Sequence, residues 1–226
     1  MFADHAAVTF PYHFSIELRA VGRMAYPIFI FLLAEGFRHT KAPHKFLMRL
    51  FVLALVSQIP YSLAITRASQ SCTPWTQYIS FISNTNIFYT LFLGGMAIMI
   101  YKWLGEKSQK PTAYIGAVFP MAVLAELLTA DYGGMGVLFV FSMYVITEQK
   151  RRIIALSFFA LSQFFPVVLL LTEVKALHLL MILFTIAAVG LLTLYNGKRG
   201  RNTKWLFYAA YPAHLAVLAI AAILSN

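Results

Sequence analysis

The sequence predicts an all-α, polytopic integral membrane bundle of about eight transmembrane helices, and three observations carry that reading. Of the 226 residues, 60% are hydrophobic and only 12% are charged, whereas a soluble domain is roughly half apolar and one-quarter charged. The apolar residues fall into separate runs of about 20, the length that crosses a hydrocarbon core. These runs lack the alternation of barrel strands, so helices are what satisfy the backbone in lipid.

Residues 1–17 are too short and interrupted to span a bilayer and read as an outer N-terminal segment. Helices are then expected over 18–37, 46–65, 86–104, 111–130, 133–147, 152–171, 176–195 and 204–225. A polar stretch over 66–85 separates the second from the third, with Trp75, Tyr78 and Phe81 spaced for an interfacial helix or re-entrant piece. Gly133, Gly134 and Gly136 loosen the start of the short fifth run. No repeat or linker divides the chain, so residues 1–226 read as one membrane domain.

The net charge of +10 is a topology signal. Thirteen of the 18 Lys and Arg lie in four short loops, RHTKAPHK, KWLGEKSQK, EQKRR and NGKRGRNTK. Each alternate connection carries almost none, which places the basic loops in the cytoplasm. The basic residues form no continuous soluble face, so nucleic acid is not the expected partner; membrane lipids are. On this orientation Asp4, His5, His13, Glu17, Arg19, Asp131 and Glu173 lie toward the exterior, and Glu35 and Arg49 at the cytoplasmic mouth.

Charges inside apolar runs are costly unless paired, wetted or used, and they nominate the site. Arg19 and Arg23 share a helix face at i,i+4; snorkelling or pairing with Glu17 is the blander account. Glu35 and Arg49, on neighbouring helices, suit either an ion pair or an anionic ligand. Asn86, Thr90 and Gly94 make a polar and small stripe, which marks close helix packing or, for Asn86, substrate orientation. Glu126 needs a partner, while Asp131 has a ready role in a turn. Tyr208, Tyr211 and His214 lie near one face of the last run, beside a Pro212 that frees the Tyr208 carbonyl. Asp4-His5 is the second histidine candidate, since imidazole beside carboxylate is a common acid–base unit near neutral pH.

No Walker A, HExxH, GxSxG or Cys/His metal cluster appears, and the lone Cys72 excludes an intrachain disulfide. From the residues alone, an integral-membrane transferase and a small transporter both remain open.

At these residues the chain resembles the TraX family, named for the conjugal-transfer protein that N-acetylates F-type pilin. The resemblance is carried, in order, by Asp4-His5, RMAYPIFIFLLAEGFRHT (23–40), FLMRLFVLALVSQIPYSLA (46–64), NIFYTLFLGG (86–95), ADYGGMGVL (130–138) and KWLFYAAYPAHL (204–215). In the family the Asp-His pair closes a first apolar span, whereas here Met1-Phe2-Ala3 precede it. With such a helix restored, Asp4-His5 would sit at its outer end. The resemblance implies a bacterial inner-membrane acetyltransferase, similar in outline to membrane acyltransferases. Its donor would be cytoplasmic acetyl-CoA and its acceptor a pilin N-terminal amine or another envelope group. On that basis His5, Asp4 and His214 are the expected catalytic groups. Arg23, Asn86, Tyr211 and Asp131 are expected around the substrate and its oxyanion, and Arg38, Lys41, Arg49 and Glu35 at the donor. Direct transfer and an acyl-histidine intermediate both fit. A transporter and a non-catalytic pilus assembly factor are the alternatives.

Overall fold

A computed structural model of the chain describes residues 1–10, 16–68, 84–105, 110–170, 175–198 and 204–224. The helices among them are α1 (Phe2–Thr9), α2 (Ile16–Gly22), α3 (Ala25–His39), α4 (Pro43–Ala68), α5 (Ile87–Gly105), α6 (Pro111–Leu127), α7 (Gly133–Val145), α8 (Gln149–Leu170), α9 (Lys175–Leu192) and α10 (Lys204–Leu224). Each apolar run of the sequence has become helical among the described residues, the first as two helices, α2 and α3. The N-terminal segment adds a short helix, α1, that the apolar runs did not predict. Four stretches are long and apolar enough to cross a membrane: Glu17–His39, Pro43–Ile65, Ile87–Gly105 and Trp205–Leu224. Shorter apolar helices cover Pro111–Leu127, Gly133–Val145 and His178–Leu192. The expected interfacial helix around Trp75, Tyr78 and Phe81 lies outside the described residues, as do His13 and Glu173.

The distribution of side chains is that of a protein in lipid. Ile115, Phe119 and Val123 recur every four residues along α6 and all are exposed, as are Val52 and Val56 on α4. Buried instead are Gln58, Asn86, Thr90, Glu35 and Arg152. Polar groups withdrawn from hydrocarbon must find one another.

Proline and glycine set the local geometry. The first expected span breaks at Arg23–Met24, between α2 and α3. Pro27 explains the position: a proline ring displaces the carbonyl four residues earlier and removes one donor, and that carbonyl belongs to Arg23. The distortion thus falls one turn upstream of Pro27 itself. Gly105, with φ 104°, ends α5 in the left-handed conformation that glycine accepts freely. Pro111 begins α6, where its missing N–H has no intrahelical partner to lose.

The helices group into two compact units. The first comprises residues 1–29, 63–72 and 148–226. Here α2 packs on α1 and α9, α9 on α8, and α1 on α10. Ala6, Ala64, Leu218 and Ala219 form a small core, with Phe10 and Leu63 against it. At the α1–α2 contact, a Cβ on Gly22 would stand 2.3 Å from the Asp4 Cβ and 2.9 Å from its Cα. Backbone cannot yield as a flexible side chain can. Gly22→Val should therefore destabilise the protein by about 1–3 kcal/mol, read as a lower Tm in detergent. An unchanged Tm would show that α1 does not rest there.

The second unit comprises residues 30–62 and 73–147, in which α5, α6 and α7 pack on one another. The Asn86–Thr90–Gly94 stripe makes these contacts. A Cβ on Gly94 would strike Val140 of α7 at 2.4 Å, and the Thr90 hydroxyl donates to the Asp131 carbonyl. Asn86 is fully buried; its amide donates to the Ala54 carbonyl and the Gln58 Oε1, each at 2.8 Å. Its Oδ1 accepts from the Phe88 N–H at 3.0 Å, which caps α5. Glu126 accepts from the Gly134 N–H at 2.8 Å, placing its charge at the positive end of α7. The α6–α7 turn takes positive φ at Thr129 and Tyr132. It is fastened by a bridge between Thr85 and Ala130.

Arg38 closes the other end of α7. Its guanidinium donates to Glu35 at 2.9 Å and to the carbonyls of Met143, Tyr144 and Ile146 at 3.0, 2.6 and 2.6 Å. These are orphan acceptors at a helix C-terminus, where a cation is favoured. Lys102 approaches the Tyr144 ring, 5.2 Å from its centroid.

Candidate functional site

The first unit gathers the ionisable residues of α1, α2 and α10 around two imidazoles. His5 Nδ1 lies 3.0 Å from His214 Nε2, although 209 residues separate them in sequence. His214 Nδ1 lies 2.9 Å from the Ala210 carbonyl one turn earlier in α10. Tyr211 contacts both rings edge-on, with centroids 6.0 Å from His5 and 5.1 Å from His214. Phe2 packs on His214 at 6.2 Å. His5 and Tyr211 are both buried.

Asp4 points elsewhere. Its carboxylate lies 3.6 Å from the Arg23 guanidinium and 4.0 Å from that of Arg19. Arg23 reaches it from the break that Pro27 imposes. Arg19 faces the same carboxylate from one turn earlier. Two cations share one carboxylate, which leaves a net positive charge on this trio. Its partly buried setting strengthens that field relative to water.

Helix α1 lies outside the four long spans, and the His5 pKa is lowered to about 3. Burial is the main cause, followed by the facing His214, the amino terminus and Arg23. His5 is therefore neutral at pH 7. The linkage has a definite sign. A histidine whose folded pKa lies below its unfolded value of 6.5 stabilises the fold above that value and loses the contribution as pH falls. The Tm in detergent should fall as the pH is lowered from 7 toward 4, and His5→Gln should fall less steeply. Identical slopes would mean that His5 is not held neutral by the fold.

Asp4, His5, Arg23, Tyr211 and His214, all nominated by the sequence, thus share one site. Arg19, for which the sequence left snorkelling or pairing with Glu17 open beside a functional role, joins them; its i,i+4 spacing to Arg23 was the signal. The other nominated residues belong to the second unit. Asn86 is fully hydrogen-bonded inside the packing network already described. The Asp131 backbone is held by Thr85 and Thr90 in the α6–α7 turn. Glu35 pairs with Arg38 at 2.9 Å and His39 at 3.3 Å on its own helix. Of the two readings the sequence left open for Glu35 and Arg49, an ion pair between them is not among the salt bridges of the described residues, where Glu35 instead meets Arg38 and His39 one turn on. Arg49 and Lys41 are exposed. Among the described residues, no three His, Cys, Asp or Glu side chains converge as metal ligands would.

Long apolar helices, a lipid-like exterior and polar groups turned inward define a helical membrane protein. The model of the TraX protein family matches residues 1–222, and the chain belongs to that family. A curated relative is the "Probable fimbrial assembly protein FimC, serogroup H1" of Dichelobacter nodosus. It is 28% identical over 232 residues, covering 96% of this chain and 89% of the relative. No solved structure matches.

Proposed function

We propose that this protein is a multi-pass acetyltransferase of the bacterial inner membrane, crossing it about eight times with its basic loops in the cytoplasm. It moves an acetyl group from cytoplasmic acetyl-CoA to an acceptor at the outer side, with the N-terminal amine of a pilin as the leading acceptor. The observation that carries this reading is the pairing of a buried neutral imidazole, His5, with a second one, beside the two arginines that share the Asp4 carboxylate. An amine acceptor must lose a proton as the new bond forms, and a positioned imidazole base takes it. A thioester carbonyl gains negative charge in the same step, and a guanidinium such as Arg23 stabilises it. Exposed Lys41 and Arg49 are suited to the phosphates of the donor.

In the direct route the amine nitrogen attacks the acetyl carbonyl, the carbon–sulfur bond breaks, and the proton passes through the imidazole to the leaving thiolate. In the covalent route His5 itself carries the acetyl group first. Radiolabelled acetyl-CoA without acceptor distinguishes them by label on histidine.

A second reading, a non-catalytic pilus assembly factor, is favoured by the printed name of the Dichelobacter relative. Mass spectrometry of the envelope fraction with and without the gene tests the choice. The transferase predicts a protein or lipid-linked species heavier by one acetyl group only when the gene is present. An envelope with no such species, and pilus assembly that survives loss of both histidines, would leave the assembly role.

A further inference from the structure

The two-histidine contact carries a direction that ring geometry supplies. The Ala210 carbonyl only accepts, so His214 Nδ1, 2.9 Å away, holds a hydrogen. Neutral His214 then has its lone pair on Nε2, which faces His5 Nδ1 at 3.0 Å. His5 Nδ1 must donate, and in neutral His5 the lone pair falls on Nε2. The ring planes are parallel within 5° and their centroids are 5.2 Å apart. With nitrogens in contact, such a separation means that the rings lie edge to edge, the in-plane arrangement of a hydrogen bond rather than a face-on stack. Tyr211, edge-on to both rings, resists rotation of either.

From this we infer that His214 is a positioning residue that holds His5 as its Nδ1–H tautomer and makes His5 Nε2 the base of the reaction. The usual carboxylate partner is replaced by a neutral imidazole anchored on a backbone carbonyl, while Asp4 serves the arginines. The inference deepens the acetyl-transfer reading and rests on it for its catalytic half. The acceptor proton lands on Nε2, the resulting imidazolium is stabilised through Nδ1–H donating to His214 Nε2, and the proton leaves with the thiol. His214 keeps its own proton throughout.

The test uses the full chain in nanodiscs, labelled with 15N-histidine and assigned with His5 and His214 variants. At pH 8 the His5 Nδ1 should resonate as protonated and its Nε2 as unprotonated. His214→Leu should shift His5 toward the Nε2–H form, and His214→Gln, whose carbonyl can accept the same hydrogen, should restore Nδ1–H. A His5 that holds its hydrogen on Nε2 in the wild type overturns the proposal. In parallel, transfer from acetyl-CoA to a synthetic apolar peptide with a free N-terminal amine is followed. His214→Leu should lower kcat about 10- to 100-fold with KM for acetyl-CoA unchanged, and His214→Gln should recover part of it. Equal loss in both variants would overturn the positioning role. A wild type with the expected tautomer but no transfer to any envelope acceptor overturns the acetyl-transfer reading and the base assignment, while leaving the tautomer assignment intact.

Discussion

His5→Ala is expected to lower acetyl transfer about 100- to 10,000-fold, the range that a positioned general base supplies, with KM for acetyl-CoA nearly unchanged. The split follows from the role proposed for His5, which takes the acceptor proton and does not hold the donor phosphates. Because His5 is buried, the alanine also leaves a gap between α1 and α10. His5→Gln separates the effects: it fills much of the volume but is not basic. Its stability should lie close to that of the wild type above pH 7, while its activity should be as low as that of the alanine variant. Transfer rates within tenfold of wild type in both variants would remove His5 from the reaction.

Arg38→Ala should have the largest effect on stability, about 2–4 kcal/mol, because one guanidinium holds a carboxylate and three helix-terminal carbonyls. The side chain is 19% exposed and Glu35 11%, so water compensates only part of what is lost. Arg38→Lys should recover little, since a single ammonium does not reproduce the planar fork that reaches Glu35 and the end of α7 together. Thermal unfolding in detergent reads the loss directly. An unchanged Tm with a raised KM for acetyl-CoA would instead return Arg38 to the donor-binding role that the sequence suggested.

The longer helices were legible because each follows an apolar run bounded by basic or glycine- and proline-containing loops. Helix α1 was not, because FADHAAVT is short and carries charge, and neither was the division of the first run into α2 and α3. Much of the site was legible too, since ionisable residues in such runs are few. Its internal pairing was not. Asp4 and His5 are neighbours in sequence, and in a helix successive side chains point to different sides. Once α1 is helical, the carboxylate faces α2 and the imidazole faces α10. The partner of His5 lies 209 positions away, and no local pattern encodes that contact. Asn86 shows the reverse limit. A buried amide in a small-residue stripe fits a packing network and a substrate contact equally well until its acceptors are known. The Arg23 break was readable in principle, because Pro27 acts four residues upstream and not where it stands.

The close approach of Gly22 to Asp4 bears on how this family can drift. With only a hydrogen at position 22, there is room for the side-chain methylene at position 4 and for the carboxylate that engages both arginines. A relative that gains a methyl group at the first position must take glycine at the second and still shift the backbone there, or move one helix away from the other. The two positions should therefore covary among descendants, and the arginines should change with them once the anion they share is gone.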